Sequence, residues 1–301
     1  MGLGTNQVTV TTAATFIPEV WSDEIVAAYK KNLVAANIIK KMSFKGKKGD
    51  TVHIPAPTRG NASAKAANTQ VTLIAATEGE KTVSINQHWE YSRLIEDIVE
   101  AQALSSLRQF YTDDAGYALA RKVDSTLIQL GRSTNGGDGT ADYTGAYSGA
   151  DGTTAYTGTA GALTDAAIRR SIQRLDDSDV PMDGRFLIVP PSTRNTLMGI
   201  ARFTEQAFVG EAGGGNTIRN GEVGNVYGIP VFVTSNADAA TDGDRICLLG
   251  HKDFAVLVEQ MGVRTQTQYK QEYLGTLFTA DVLFGVGELR DGAAIALAVP
   301  A

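Results

Sequence analysis

Three histidines, one cysteine and a few groups of carboxylates are the side chains here that could carry chemistry. His53, His88 and His251 lie far apart, with no i, i+3 or i, i+4 pairing and no cysteine nearby, so the spacing that holds zinc is missing. Each reads as a polar-face or loop residue. Cys247 sits inside the apolar run ICLLG, where a buried, inert thiol is expected. Asp113 and Asp114 are adjacent, and on a helix neighbours point about 100° apart, so they share neither a face nor a proton. The stretch Gly46-Lys47-Lys48-Gly49 lacks the G-x-x-x-x-G-K-S/T spacing of a phosphate loop, and the aspartates of 132–161 do not follow the calcium-loop pattern. There is no G-x-S-x-G elbow, no H-E-x-x-H and no G-x-G-x-x-G after a strand. Nothing supports an enzyme, and no catalytic, metal or cofactor site is expected.

The elements that would position such residues are more informative. Asp97–Arg132 reads as one helix, a rod of roughly 50 Å at 1.5 Å per residue. Ala101, Leu104, Leu107, Tyr111, Ala115, Leu119, Val123, Leu127 and Leu130 recur at steps of three or four and share a face. Arg108, Asp113, Arg121, Lys122 and Asp124 fall off that stripe. Asp97 with Glu100 resembles a capping box, and Gly131 is placed to end the helix in a left-handed conformation.

Before it, residues 1–15 form a small, polar arm, and Phe16–Asn32 is a helix with Pro18 in its first turn and Ile17, Trp21, Ile25 and Ala28 on one stripe. KKMSFKGKKG follows, with five lysines within nine positions, either a solvated hairpin base or a contact for a neighbour's carboxylates. Thr51–Ile54 and Val71–Ile74 then flank Arg59–Gln70, a hairpin middle of small polar residues that cannot bury itself. Val83, Ile85, Trp89 and Tyr91 alternate with polar residues in a half-buried strand leading into the long helix.

Residues 132–161 contain no Leu, Ile, Val or Phe and read as a surface loop or linker. A second domain begins with a helix at Leu163–Asp177 capped by Thr164. Next come the strand RFLIVPP, a helix from Ser192 to Ile200 capped by Ser192, the loop GEAGGGN, and a strand broken at Gly228 and Pro230. Arg245–Leu249, Val263–Tyr273, Thr276–Leu289 and Ala293–Val299 are the remaining strands. Strands on both sides of a mixed middle imply that the first domain is discontinuous.

The 301 residues can bury a sizeable core, and 43% hydrophobic with 20% charged is ordinary for a folded protein. A formal charge of −6 argues against a surface built to hold nucleic acid. One cysteine excludes an intramolecular disulfide. No apolar run reaches membrane-spanning length and the N-terminus lacks a signal-peptide pattern, so a soluble chain, intracellular where it is made, is expected.

In this order, the small-residue arm before FIPEVWSDEIVAAY, the polar-tipped hairpin, the long helix, DVPMDGRFLIVPPSTRNTLM, GNVYGIPVFVTSN and LFTADVLFGVGELRDGAAIALAV resemble the major capsid proteins of tailed bacteriophages. The resemblance covers nearly the whole chain and implies the α+β, HK97-like fold. Residues 1–44 would be the N-terminal arm and 45–81 the extended E-loop. Residues 82–135 with 263–301 would be the peripheral domain with its spine helix, and 136–262 the axial domain. The implied function is self-assembly, as pentamers and hexamers, into an icosahedral shell in the virion around double-stranded DNA held without sequence-specific binding. Synthesis would be in the host cytoplasm, with no membrane partner. Implied partners are a portal, a decoration or cement protein and, since only about 15 residues precede the first helix, a separate scaffolding protein or none. Inter-subunit contacts are expected at Trp21, Lys45, Lys47, Lys48, Arg59 and Lys65. Some relatives crosslink through a Lys–Asn pair; nothing in the sequence identifies such a pair. The rival readings are an encapsulin-like compartment, an enzyme on an α+β scaffold, and a tail or decoration protein.

Overall fold

A computed structural model describes residues 34–57, 60–71, 73, 78–98, 107–200 and 224–301. The expected first helix, Trp21, Arg59 and the GEAGGGN loop lie outside the described residues.

The chain enters through a short helix, α1 (Ala35–Ile38), and strand β1 (Lys40–Ser43). Strands β2 (Thr51–Pro57) and β3 (Glu78–Ser84) form the hairpin, and β4 (Gln87–Glu96) leads to the long helix α2 (Leu107–Gln129). Then follow β5 (Tyr147–Ser148), α3 (Asp165–Asp177), β6 (Arg185–Val189) and α4 (Pro191–Met198). Strands β7 (Asn225–Val226), β8 (Ile229–Val233), β9 (Arg245–His251), β10 (Ala255–Lys270), β11 (Gly275–Glu288) and β12 (Ala294–Val299) complete it.

Two larger sheets result. One has the order β1-β10-β11-β4, built around the β10–β11 hairpin; the other has the order β5-β12-β9-β6-β8-β7. Strands β6 and β12 are buried along their full length. That is the near-continuous apolar pattern of strands covered on both faces. One face of the six-stranded sheet packs on α3 and α4 through Leu187, Val189, Cys247, Leu249, Leu297, Ile168, Leu175 and Leu197.

Helix α2 joins the sheets. Ala115 and Leu119 belong to the same core as Phe278, Ala280, Val282 and Phe284 of β11. Leu127 and Ile128 belong to it together with Phe186, Ile188 and Leu248 of the six-stranded sheet. The helix is therefore a beam whose apolar stripe serves two sheets in turn. Among the described residues, no helix is long and apolar enough to cross a membrane.

Several expectations need correction. Ile98 is helical, and 99–106, with the Glu100 of the expected capping box, lie outside the described residues; Asp97 is helical too and has partners on β10 and after it. Its N–H donates to Leu274 O (3.0 Å) and its carboxylate accepts the Tyr269 hydroxyl (2.8 Å). Gly131 is not left-handed: the helix tightens into a 3-10 turn at Leu130–Arg132, and Asn135 and Gly136 take the positive φ angles of 54° and 73°. Gly131 instead lets the helix end approach the sheet, since a Cβ there would lie 3.1 Å from Leu248 Cδ1. Asp124 is fully buried rather than on the polar side.

Strand character is absent at Val71 and Leu73, and the second hairpin strand is Glu78–Ser84. The half-buried strand is two strands, parted at Ile85 and Asn86. Helix α4 starts at Pro191 with Pro190 before it, while Ser192 donates its hydroxyl to Pro300 O (3.3 Å). Tyr227 and Gly228, both at positive φ, make a two-residue hairpin turn between β7 and β8 rather than a broken strand. Strand β10 begins at Ala255, eight residues ahead of Val263. Strand β12 pairs with β9 and β5, so it closes the six-stranded sheet and not the one containing β10 and β11. Residues 132–161 are no linker: Tyr143, Ala146 and Tyr156 are buried in a core of their own with Ala240, Ile246, Ala296 and Ala298.

Candidate assembly surfaces

The hairpin stands out from the rest. Seven residue pairs, from Thr51↔Ser84 to Pro57↔Glu78, form a two-stranded ribbon of about 20 Å. Pro55 and Pro57 are tolerated because no third strand needs their missing N–H groups. Along it His53 Nδ1 lies 3.1 Å from Glu80 Oε2, both exposed. Beyond the ribbon, residues 60–71 are exposed and without strand structure; Lys65 is among them. Val71 and Leu73 are 58% and 87% exposed, apolar side chains that their own chain does not cover.

The root of the hairpin is well held. Ile85 N–H donates to Asp50 O at 2.7 Å, closing the loop. Val83 and Ile85 pack with Val256 and Val258, flanked by Phe44, Val52, Ile54, Leu283 and Leu289. This close crossing requires glycine on β11: a Cβ at Gly285 would lie 2.6 Å from Ser84 O, and one at Gly287 would lie 2.6 Å from Val83 Cγ2. Beside the root, a cleft of about 710 Å³ separates Ile54, Pro55, Ala56 and Lys81 from Ser178, Asp179, Asp253 and Arg290.

The lysine-rich turn is tethered within its own chain. Lys45 Nζ lies 3.6 Å from Glu259 Oε2, both partly exposed. The Gln260 amide donates to Lys47 O (3.1 Å) and Gly49 O (2.9 Å), and Lys47 Nζ lies 5.5 Å from the Phe44 ring centre. Lys48 is exposed. The structure thus gathers Lys45, Lys47 and Lys48 at the hairpin base, with Lys65 farther out beyond the ribbon.

The four-stranded sheet shows two different faces. Towards α2, Tyr91 donates its hydroxyl to Asp114 (2.9 Å), Arg93 Nε donates to Tyr91 (2.7 Å) and stacks on Tyr111, and Lys122 lies 4.0 Å from the Trp89 ring centre. On the opposite face Arg264 grips Asp281 with two hydrogen bonds of 3.0 and 2.8 Å, and His88 Nε2 lies 3.2 Å from the same carboxylate. The Arg264 guanidinium, with His88 adding to it, holds the Asp281 carboxyl below the usual range. At the far end of β10 and β11, Tyr269, Tyr273, Leu274 and Ile98 form an exposed apolar end.

Sequence reasoning missed two buried polar clusters. Asp124 accepts from Val34 N–H (3.0 Å), Ala36 N–H (3.3 Å) and the Asn236 amide (2.9 Å), tying the entry helix and the loop after β8 to α2. Asp238 accepts two bonds from Arg132 (2.7 and 3.1 Å) and one from the Tyr143 hydroxyl (2.7 Å). Burial and the Asp238 charge push the Tyr143 phenol far up, and burial with Asp244 raises Tyr156 to about 12. Both tyrosines are therefore neutral donors. The signal for the second cluster was present: three tyrosines in a stretch without Leu, Ile, Val or Phe supply apolar bulk with a polar tip. Nothing local marked Asp124.

The sequence matches the family described as phage capsid protein over residues 90–297. Among solved structures, the fold is similar to that of Mycobacterium phage Che8, with TM-score 0.76, 23% identity, and coverage of 94% of this chain and 97% of that one. It is also similar to the capsid of cyanophage P-SCSP1u, with TM-score 0.77, 21% identity, and coverage of 99% and 97%. The mature capsid of bacteriophage PhiM1 gives TM-score 0.73 at 14% identity, covering 94% and 92%. No curated protein matches the sequence.

Proposed function

The chain belongs to the phage capsid protein family and is a major capsid protein with the HK97-like fold, and from that premise we propose how it builds its shell. Copies of the chain assemble as pentamers and hexamers into an icosahedral wall around packaged double-stranded DNA. The role is architectural, without catalysis. The reading rests above all on one observation: a ribbon ending in exposed polar backbone and bare Val71 and Leu73, which gain cover only on another subunit. Lys45, Lys47, Lys48, Arg59, Lys65 and Trp21 are the side chains we assign to inter-subunit contacts. Residues 1–44 are the arm, 45–81 the E-loop, 82–135 with 263–301 the peripheral part, and 136–262 the axial part, with β12 crossing over to the axial sheet. Each contact is modest, and a subunit engaging several neighbours sums them to a large buried area. A separate scaffolding protein, a portal and a cement protein are the partners that fit this role, and synthesis in the host cytoplasm goes with it. The encapsulin-like compartment is not favoured, since the family match and the structural likenesses are to phage capsids.

The test is negative-stain electron microscopy with light scattering on the full chain, co-expressed with the scaffolding protein of its own genome. Closed shells or rings of five and six are expected. A chain lacking residues 59–70 should keep its circular dichroism and melting temperature yet fail to make heat-stable particles. Normal, heat-stable particles from that deletion would overturn the assignment of the hairpin.

A further inference from the structure

Where the hairpin meets the body, one carboxylate is out of keeping with its surroundings. Glu288, the last residue of β11, has its Oε1 buried with no hydrogen-bond partner among the described residues. The groups facing it come from three elements. Lys81 approaches from β3 of the hairpin, Asp291 from the turn after β11, and Ser133 from the segment after α2. Strand β10 presents only Ala255 opposite it in the ladder. Asp291 is already committed: both of its oxygens accept the Gly136 N–H, at 3.0 and 3.1 Å. The Ser133 hydroxyl is committed too, donating to Leu130 O at 3.1 Å. Asp291 thus stays where it is as an acceptor. The Glu288 carboxyl is best satisfied when neutral, sharing its own proton with Asp291. Ionised, it would set two carboxylates side by side in a half-buried site, with Lys81 across the junction as the only cation among the groups facing it.

The location gives this its consequence. One residue before Glu288, Gly287 is in contact with Val83, where β3 crosses β11. Leu289 and Arg290, just after it, line the cleft of about 710 Å³ whose other wall is the hairpin itself. The site therefore sits on the line about which the ribbon would tilt, with open space on one side.

We propose that Glu288, Asp291 and Lys81 form a proton-operated latch at the hairpin root, closed when Glu288 is neutral and loosened when it ionises. Burial first, then the Asp291 charge, raises the Glu288 carboxyl from its ordinary 4.5 to about 7, partly offset by Lys81. The sign follows from linkage. The folded chain keeps this proton up to about pH 7, whereas the unfolded chain releases it near pH 4.5. The stability of the root tied to it is complete below that lower value and lost as pH rises through the upper one. The latch then works across near-neutral pH and acts on the ribbon rather than on the whole subunit.

Amide hydrogen exchange on unassembled full-length subunits tests this and does not depend on whether shells form. After correction for the intrinsic pH dependence of exchange, protection at Val83, Ser84 and Ile85 should fall about tenfold between pH 6 and pH 8. The core strand Arg185–Val189 should stay unchanged. Glu288→Gln, which keeps a donor towards Asp291 and cannot ionise, should show the same protection at both values. Lys81→Met should move the transition to lower protection up in pH by about one unit, since a cation that favours ionisation is gone. Flat protection in the parent chain, a parent-like fall in Glu288→Gln, or an unmoved midpoint in Lys81→Met would each overturn the latch.

Discussion

Replacing Asp124 with alanine isolates a buried junction on which three elements depend. In the parent chain its Oδ1 accepts Val34 N–H at 3.0 Å and Ala36 N–H at 3.3 Å, and its Oδ2 accepts the Asn236 amide at 2.9 Å. The residue is fully buried, so water does not replace the lost acceptors. Each donor left unpaired costs about 1–3 kcal/mol, and the three share one cavity, so a total of about 3–5 kcal/mol is expected. Asp124→Asn should be far milder, about 1 kcal/mol. Its carbonyl oxygen can still serve the two backbone donors, and Asn236 can turn its amide over to accept from the new NH2 group. The assay is urea unfolding of unassembled subunits followed by circular dichroism. A chain of this length has a slope of a few kcal/mol per molar, so Asp124→Ala should lower the midpoint by about 1 M or more. An alanine variant within about 1 kcal/mol of the parent would refute the idea that this carboxylate holds the entry helix to the beam.

Three further outcomes are expected. Lys45→Ala, Lys47→Ala and Lys48→Ala combined should cost the isolated subunit less than about 1 kcal/mol, because the Lys45–Glu259 pair is exposed. The same change should lower shell stability mainly at low ionic strength, and equal particle melting at low salt would count against inter-subunit pairing. Cys247, fully buried and with its thiol pushed up to about 12 by burial, should resist a thiol reagent in folded subunits and react at once in urea. Rapid labelling of the folded chain would contradict its place in β9. Tyr143→Phe removes the 2.7 Å bond to Asp238 while keeping the ring, so it should destabilise by about 1–2 kcal/mol in thermal melts. No change would mean that Arg132 alone satisfies Asp238.

Much of the fold was legible where one physical signal dominated. The period of three and four along Leu107–Leu130, the Thr164 cap, which accepts Ala167 N–H at 3.2 Å, and the apolar runs of β6, β9 and β12 all declare themselves locally. What failed were features set by distant partners. Asp124 has the spacing of a solvent-facing residue, and Val34, Ala36 and Asn236, 90, 88 and 112 positions away, make its burial tolerable. The 132–161 stretch looked like a linker because aliphatic residues were the yardstick, while tyrosine rings with carboxylate partners do the packing. The end of α2 was misplaced because a glycine has two uses, a left-handed turn and a close approach, and Gly131 serves the second against Leu248. As for the surfaces, the self-exposed hairpin was legible from composition. The tethering of the lysine turn was not, since Glu259 and Gln260 lie more than two hundred residues beyond it.

Strand β12 sits between β5 and β9 in the six-stranded sheet, yet it follows all the other described strands in the chain. Until Ala294–Val299 has emerged, β5 has no partner strand in the sheet, β9 has an open edge, and Ile295, Leu297 and Val299 are missing from the core under α3 and α4. A chain cut short before that point cannot close its own interior.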